Sequence, residues 1–407
     1  MKRVAYEVTV EAVSPLLLSG RPTSEGSSVY DTLEYISGSS LRGAWIEFYK
    51  QVYSIGDEEQ MADIISALFM EKGYRFENFY PEGAVLLPLT AVTCKQFPGF
   101  RSDDGQKCHG VKDSLLLYYE MRRQFDPERL QCGYETKGEN SCGSPYAAYD
   151  KWVKYRPISQ TYETAKPLAK IQSGHVAISP LTQTVEKGRL FFEQAIEIGE
   201  RFSGIIHVPE DRCEEFEQLA EEAKHRSLRV GSKKTAGYGE IRVINWGRAF
   251  GGGGSVWEDE PLSERFRSFQ EKCRERGVIG KQEKVFSLTL LSDAIFLDPW
   301  FRFRSDLTPK FLAWLTGIEL PNAELVHRHI ALRRVFGWNQ QWHVAVDEQI
   351  AVRKGSSYLY IVQDEEDDET WVNRLSQLEA MWLGERTYEG YGRVVVCHPF
   401  HLQMEEV

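Results

Sequence analysis

Four of the chain's seven cysteines, Cys94, Cys108, Cys132 and Cys142, fall within one glycine-rich stretch, and His109 stands beside Cys108. Thiolates and imidazole are donors that a tetrahedral zinc ion accepts, and loops are the usual means of delivering them. Neither cysteine pair has CxxC spacing, so the ligand set is chosen on steric grounds. Two adjacent side chains seldom reach one ion together. That favours His109 with Cys94, Cys132 and Cys142, and keeps Cys108 as the alternate to His109. Cys213, Cys273 and Cys397 are scattered and are expected to be unligated. Free cytosolic thiols are the plain alternative for the whole group.

A second chemistry is written twice. VGSKKTAGYGEIRV (230–243) and LGERTYEGYGRVVV (383–396) align without a gap, so that Gly231, Gly237, Tyr238 and Gly239 fall on Gly384, Gly390, Tyr391 and Gly392. Each copy carries basic residues, Lys233 and Lys234 in the first and Arg386 in the second. Glycine lets the backbone approach a ligand closely, and turns of this kind can aim N–H groups at phosphate. A helix C-cap followed by a tight turn into a strand is the simpler alternative for either copy alone. Two copies point to a shared architecture.

The formal net charge of −11 argues against a free-standing DNA-binding domain, which is normally basic. The basic residues are nevertheless grouped. Lys151, Lys154, Arg156, Lys166 and Lys170 lie among Trp152, Tyr155 and Tyr162; Lys224, Arg226, Arg229, Lys233 and Lys234 lead into the first glycine loop; Arg328, Arg333 and Arg334 stand with His327 and His329. Cations interleaved with aromatic rings suit single-stranded RNA, whose phosphates meet the charge while its bases stack. Solvated helix faces are the ordinary alternative. The acidic remainder suits protein neighbours, which keeps a zinc-bearing protein–protein scaffold open as a third class.

The elements that must position these residues also repeat. Tyr6, Val8 and Val10 alternate as a half-buried strand, and Phe286, Leu288 and Leu290 do the same ahead of an apolar run at 295–297 that matches 15–17. VEKGRLFF from Val185 resembles VRKGSSYL from Val352, each a charged turn at glycine leading into a strand. Helices are expected at 214–226 and 370–382. This order predicts an α+β fold of tandem ferredoxin-like (RRM-like) units with antiparallel sheets, plus a cysteine-rich zinc-binding insertion in the first unit. The first unit is expected at 1–246 with its insertion at about 90–150, a polar linker at 247–283 containing Gly251 to Gly254, and the second unit at 284–407. The acidic run at 364–369 reads as a solvated loop. No apolar run approaches membrane-spanning length, and the amino terminus has a strand-like pattern rather than that of a signal peptide, so the expected compartment is the cytoplasm.

YISGSSLRGAW (35–45) resembles the IPGSSLKG segment of the RAMP superfamily, the RNA-binding subunits of CRISPR effector complexes, with Ser37 in place of proline. With the two glycine loops, that resemblance spans both halves of the chain. CKQFPGF (94–100) and CHGVKDSLL (108–116) make it similar to the large two-unit RAMP subunit of type III-D complexes, which carries a cysteine-rich insertion; here Cys132 and Cys142 are separated by a longer loop than that family's cysteine pair. The resemblance implies contacts to the guide RNA from Ser39, Ser40 and Arg42 at a helix start, from Lys233, Lys234, Gly237, Tyr238 and Gly239 in one loop, and from Arg386, Gly390, Tyr391 and Gly392 in the other. An ordinary serine N-cap with a solvated Arg42 is the alternative at the first of these.

Some RAMP relatives cut RNA, either with a histidine or with an aspartate just before the GSSLKG-like segment acting with a divalent ion. His175, His327, His329 and His343 are the histidines to consider, and none has the spacing of a dyad. Asp31 occupies the aspartate's stretch, where capping its loop is the alternative role. The expectation is a non-catalytic CRISPR guide-RNA subunit that grips the 5′ repeat-derived handle and seats other type III-D effector subunits in antiviral defence. A RAMP endoribonuclease using Asp31 or His175 is the runner-up.

Overall fold

The computed structural model describes residues 2–18, 29–101, 108–123, 131–134, 142–156, 161–178, 185–249, 260–339, 344–363 and 366–402. The chain resolves into two compact units. One comprises Met1–Ala84, Lys166–Ser255 and Tyr388–Gly390, and the other Val85–Ala165, Val256–Thr387 and Tyr391–Val407.

The first unit is built around the strand Arg3–Ala12, which pairs antiparallel with Arg201–Pro209 on one side and Glu240–Arg248 on the other. Arg75–Phe76 extends the sheet beyond Arg201–Pro209, and Leu228–Arg229 extends it beyond Glu240–Arg248. Tyr6, Val8 and Val10 are buried as their alternation demands. They face the helices Gly38–Val52 and Cys213–His225, whose Trp45 and Phe216 rings meet at 5.5 Å.

The second unit repeats the plan. Glu283–Leu290 lies between Ser357–Gln363 and Val394–Val396, all antiparallel, with Ala323–His329 beyond Ser357–Gln363. Pro309–Thr316 starts on a Thr308 cap with proline at its first position, and Asp368–Ala380 starts on Asp367, whose side chain accepts from the Thr370 amide at 2.7 Å. The described end of the acidic run is therefore a helix start, where its carboxylates favour the N-terminal dipole. In both units the opening strand is flanked by the last strand and the third, an order consistent with the ferredoxin-like plan.

The structure divides the chain differently from the expected 1–246 and 284–407 boundaries. Residues 262–275 of the expected linker form the helix Leu262–Glu275. Phe266, Phe269 and Cys273, spaced as one helical face, are buried in the second unit's core, and Arg265 reaches Glu379 at 2.9 Å and the Val396 carbonyl. The many charges of this segment hide that face in a composition count. Gly251 to Gly254 lie outside the described residues. The cysteine-rich stretch, inserted in sequence into the first unit, belongs to the second, where Phe400 completes its apolar cluster of Val85, Ala91, Phe100, Tyr149 and Tyr162.

The expected match of the two charged turns also moves. Val185–Ile196 is one strand that contains Gly188, whereas Gly355 is a turn residue with φ of 83°. Its counterpart is Gly199, with φ of 87°. The amides of Gly199 and Gly355 donate to the last carbonyls of their opening strands, Ala12 and Leu290, at 2.9 and 2.7 Å. Phe269→Ala is expected to destabilise the protein by about 3–5 kcal/mol in urea unfolding; a flexible linker there would leave the transition unchanged.

Candidate nucleic-acid interface and metal centre

Three short strands position the candidate metal ligands. Ala91–Cys94 pairs with Val111–Asp113 and with Tyr146–Ala148, and a bridge joins Gln131 to Pro145. Cys94 closes the middle strand, His109 precedes one neighbour, Cys142 precedes the other, and Cys132 follows the bridge. Their ligand atoms consequently lie within 4.8 Å of one another. Cys94 Sγ is 3.9 Å from Cys142 Sγ, and His109 Nδ1 is 3.3 Å from Cys132 Sγ. A tetrahedral ion with zinc–sulfur bonds of about 2.3 Å separates its sulfurs by roughly 3.8 Å, so the donor set fits zinc in both chemistry and spacing. Cys108 Sγ instead contacts the Pro98 carbonyl at 3.2 Å, and His109 is the member of that adjacent pair that joins the candidate cluster.

The surroundings tune these donors. His109 lies between the Phe97 and Tyr134 rings at 4.5 and 4.2 Å, and burial, helped by Arg101, lowers its pKa toward the neutral, ligating form. At Cys94 burial would raise the pKa, but the amides of Phe97 and Gln96 and the Ser144 side chain outweigh it and the thiol is lowered. Burial pushes Cys132 up to about 11, with the Tyr134 amide opposing and the neighbouring thiols adding to the rise. A bound cation would reverse that penalty, because it favours thiolate. All seven cysteines are free thiols.

The glycine loops repeat bond for bond. Val230 donates to the Gly239 carbonyl at 2.8 Å and Leu383 to that of Gly392 at 2.7 Å; Ser232 donates to Leu17 and Glu385 to Ile295, both at 2.9 Å; Gly239 donates to Pro15 and Gly392 to Asp293, again at 2.9 Å. The structural partner of 15–17 is therefore 293–295, two residues earlier than the apolar runs suggest. Gly239 and Gly392 have φ of 87° and 82°, and a Cβ on either would overlap the carbonyl oxygen of Val230 or Leu383. These glycines are required by close packing of backbone on backbone. In the first loop the amides of Ser232, Ala236, Gly237, Tyr238 and Gly239 all bond to carbonyls of the chain, so the expected outward row of N–H groups is spent inside the fold.

The two copies differ at their tips. Thr235, Ala236 and Gly237 of the first are exposed, whereas Gly390 of the second is buried and has no room for a Cβ against the Phe76 carbonyl. Tyr388–Gly390 belongs to the first unit. Lys233, left-handed at φ 55°, pairs with Glu193; Arg386, at φ 56°, lies 5.2 Å over the Tyr391 ring. Lys234 is the exception. Its ammonium makes no hydrogen bond or ion pair among the described residues, and burial, with Arg229 adding and Glu47 opposing, lowers its pKa. Arg229 is exposed and reaches the Lys234 carbonyl at 3.5 Å.

At the GSSLRG segment the N-cap is Ser37, which accepts from the Ser40 amide at 3.3 Å and contacts the hydroxyls of Ser39 and Ser40 at 3.1 and 2.9 Å. Arg42 is neither solvated nor aimed outward. Its Nε donates to the Phe69 carbonyl at 2.6 Å, it pairs with Glu389 at 3.7 Å, and it lies 5.0 Å over Tyr388. Asp31 accepts from the Thr32 amide at 2.8 Å and pairs with Lys170 at 3.2 Å. His175 lies on the strand Lys170–Ile178, with its side chain outside the described set, as is His343. His329 stacks on Tyr118 at 5.3 Å.

One polar chain had no signal in residue spacing. Asp113 contacts His401 Nδ1 at 3.2 Å, His401 Nε2 contacts Thr289 at 3.0 Å, and Thr289 contacts Ser357 at 2.9 Å. All four are buried. Its members are distant in sequence, and only the assembled second unit brings them together.

A family model described as the RAMP superfamily matches residues 9–242. The chain belongs to the RAMP superfamily. No curated protein matches it. Among solved structures, a chain of the type III-B Cmr-beta complex bound to cognate target RNA is 14% identical, covering 60% of this chain and 96% of that one, with a TM-score of 0.32. A Cas6 product complex is 10% identical over 97% and 100%, with a TM-score of 0.38. Oligomeric Cmr4 from Pyrococcus furiosus is 13% identical over 61% and 99%, with a TM-score of 0.26. Likeness at this level assigns no role to any residue here. The RAMP match takes in the GSSLRG segment, the candidate metal ligands and the first glycine loop.

Emission spectroscopy of this RAMP protein is expected to find about one zinc per chain, lost in Cys132→Ser and retained in Cys108→Ser. Gly239→Ala is expected to cost more than about 2 kcal/mol of stability, whereas Gly237→Ala, with open space around it, costs about 1 kcal/mol; urea unfolding separates the two.

Proposed function

We propose that the chain is a non-catalytic subunit of a type III-D CRISPR effector complex that binds the 5′ repeat-derived handle of the guide RNA and seats neighbouring subunits. The observation that carries this reading is the first glycine loop. Around it Lys234, without an ion-pair partner among the described residues, is partly withdrawn from water beside a second cation, next to an exposed turn. Such a pair repels itself until an anion arrives, and a phosphate placed there gains from both charges. The family membership, the tandem ferredoxin-like reading of the two sheets and the GSSLRG segment support RNA as the source of that phosphate.

Zinc, held by Cys94, His109, Cys132 and Cys142, serves the fold of the insertion in this reading. It ties three strand ends that share only a small apolar cluster. The protein works in the cytoplasm with CRISPR RNA and protein partners. Among the described residues no helix is long and apolar enough to cross a membrane. The ribonuclease alternative through Asp31 is disfavoured because that carboxylate already caps its loop and pairs with Lys170.

Labelled repeat RNA incubated with the protein is expected to be retained and left intact. Lys234→Glu combined with Arg229→Glu is expected to weaken retention by tenfold or more and to lower the salt slope by about 0.7 for each phosphate no longer neutralised. Cleavage products that disappear in Asp31→Ala or His175→Ala would replace this reading with the nuclease.

A further inference from the structure

In the second unit a tight hairpin follows the opening strand. Leu297 bridges Phe303, and the amide of Asp298 donates to the Arg302 carbonyl at 3.0 Å. Asp298 holds the turn from inside: Oδ1 accepts from the amides of Trp300 and Arg302 at 2.9 and 3.0 Å, and Oδ2 accepts from Arg302 Nε at 2.9 Å. Its backbone carbonyl accepts from the Phe301 amide at 2.8 Å. The backbone and carboxylate of Asp298 thus hold both ends of the turn. Yet the two residues it presents are aromatic and outward, with Trp300 71% and Phe301 84% exposed.

Stability does not account for that choice. Phe301 sits at φ 58°, a left-handed conformation in which a bulky side chain is an outlier and glycine or asparagine is at ease. Each ring gives up water contact only when something covers it. Arginines accompany the rings. Arg302, two-thirds exposed, lies 5.0 Å over Trp300, and Arg304, two residues on, lies 5.8 Å over Phe311, which stacks on the half-exposed Trp314 at 5.6 Å.

Charge selects the class of occupant. Arg302 pairs with Asp298, and Arg304 and Arg328 pair with Asp306, so three guanidinium groups meet two carboxylates beside the hairpin in a protein whose overall charge is strongly negative. A locally cationic surface with flat exposed rings complements bases and phosphates together. We propose that the Asp298–Arg302 hairpin is a stacking platform for single-stranded RNA, in which unpaired bases cover Trp300 and Phe301 while Arg302 and Arg304 meet the backbone. The inference extends the RNA-binding reading above to a second surface, remote in sequence from the glycine loops.

The probe is a labelled single-stranded RNA of about 12 nucleotides, within the site sizes typical of stacking grooves. Trp300→Ala and Phe301→Asn are each expected to weaken its binding at least roughly 5-fold, and Trp300→Tyr, which keeps a ring, to bind nearly as wild type. Phe301→Asn should at the same time raise the unfolding midpoint, because asparagine relieves the left-handed residue. Unchanged affinity in the folded Trp300→Ala/Phe301→Asn double variant overturns the proposal. If RNA affinity in that variant stays at the wild-type level while co-purification of effector subunits is lost, the rings are a protein contact, which also overturns it. Wild-type protein that binds no RNA overturns the platform and the handle-binding reading together. Loss of binding in Lys234→Glu/Arg229→Glu with none in the aromatic variants removes the platform alone.

Discussion

The architecture depends on two points where backbone lies directly on backbone. At Gly239 and Gly392 the carbonyl oxygens of Val230 and Leu383 occupy the space of a side chain, and the same three hydrogen bonds surround each contact. Those bonds fasten the entry to the last strand onto the segment that leaves the opening strand, at Pro15 and Leu17 in one unit and Asp293 and Ile295 in the other. The position of the last strand beside the first follows from that fastening. So does the placement of the basic residue, since Lys233 and Arg386 are both held left-handed by the turn between the anchored ends.

A shared scaffold does not impose a shared use. In the second copy the tip is consumed by packing: Gly390 is buried, and Glu389 and Tyr388 hold Arg42. In the first copy the tip stays open, and the Lys234 ammonium makes no ion pair among the described residues. Arg42, Lys233 and Arg386 are committed to partners within the protein, so at the GSSLRG segment and the glycine loops the charge left for an external anion is that of Lys234 and Arg229. The strongly negative total is compatible with this, because steering and contact depend on local potential more than on the sum.

Glycines, cysteines and the alternation of Tyr6, Val8 and Val10 were the legible part of the sequence. Each answers to a local rule: a left-handed turn, a soft donor, a two-residue period. The convergence of Cys94, His109, Cys132 and Cys142, with Cys108 set aside, followed from a steric limit between adjacent residues that the structure respects. Partnership over long distance was not legible. Nothing in GSSLRG says that Arg42 will meet Glu389, and nothing in the first loop says that the amides of Ser232 and Gly239 will turn inward to Leu17 and Pro15. The helix Leu262–Glu275 was masked by its charge, and the attachment of residues 85–165 to the second unit depends on Phe400, far away in the chain. The aromatic hairpin was missed because an exposed Trp-Phe pair reads in sequence as core.

The most direct test is photo-cross-linking of the RNA that co-purifies with the protein, followed by mass spectrometry of the cross-linked peptides. The account requires adducts on the peptide spanning 229–238 and few on 386–392, whose tip is packed away. Adducts concentrated on 386–392 or elsewhere, with 229–238 unmodified, would contradict it.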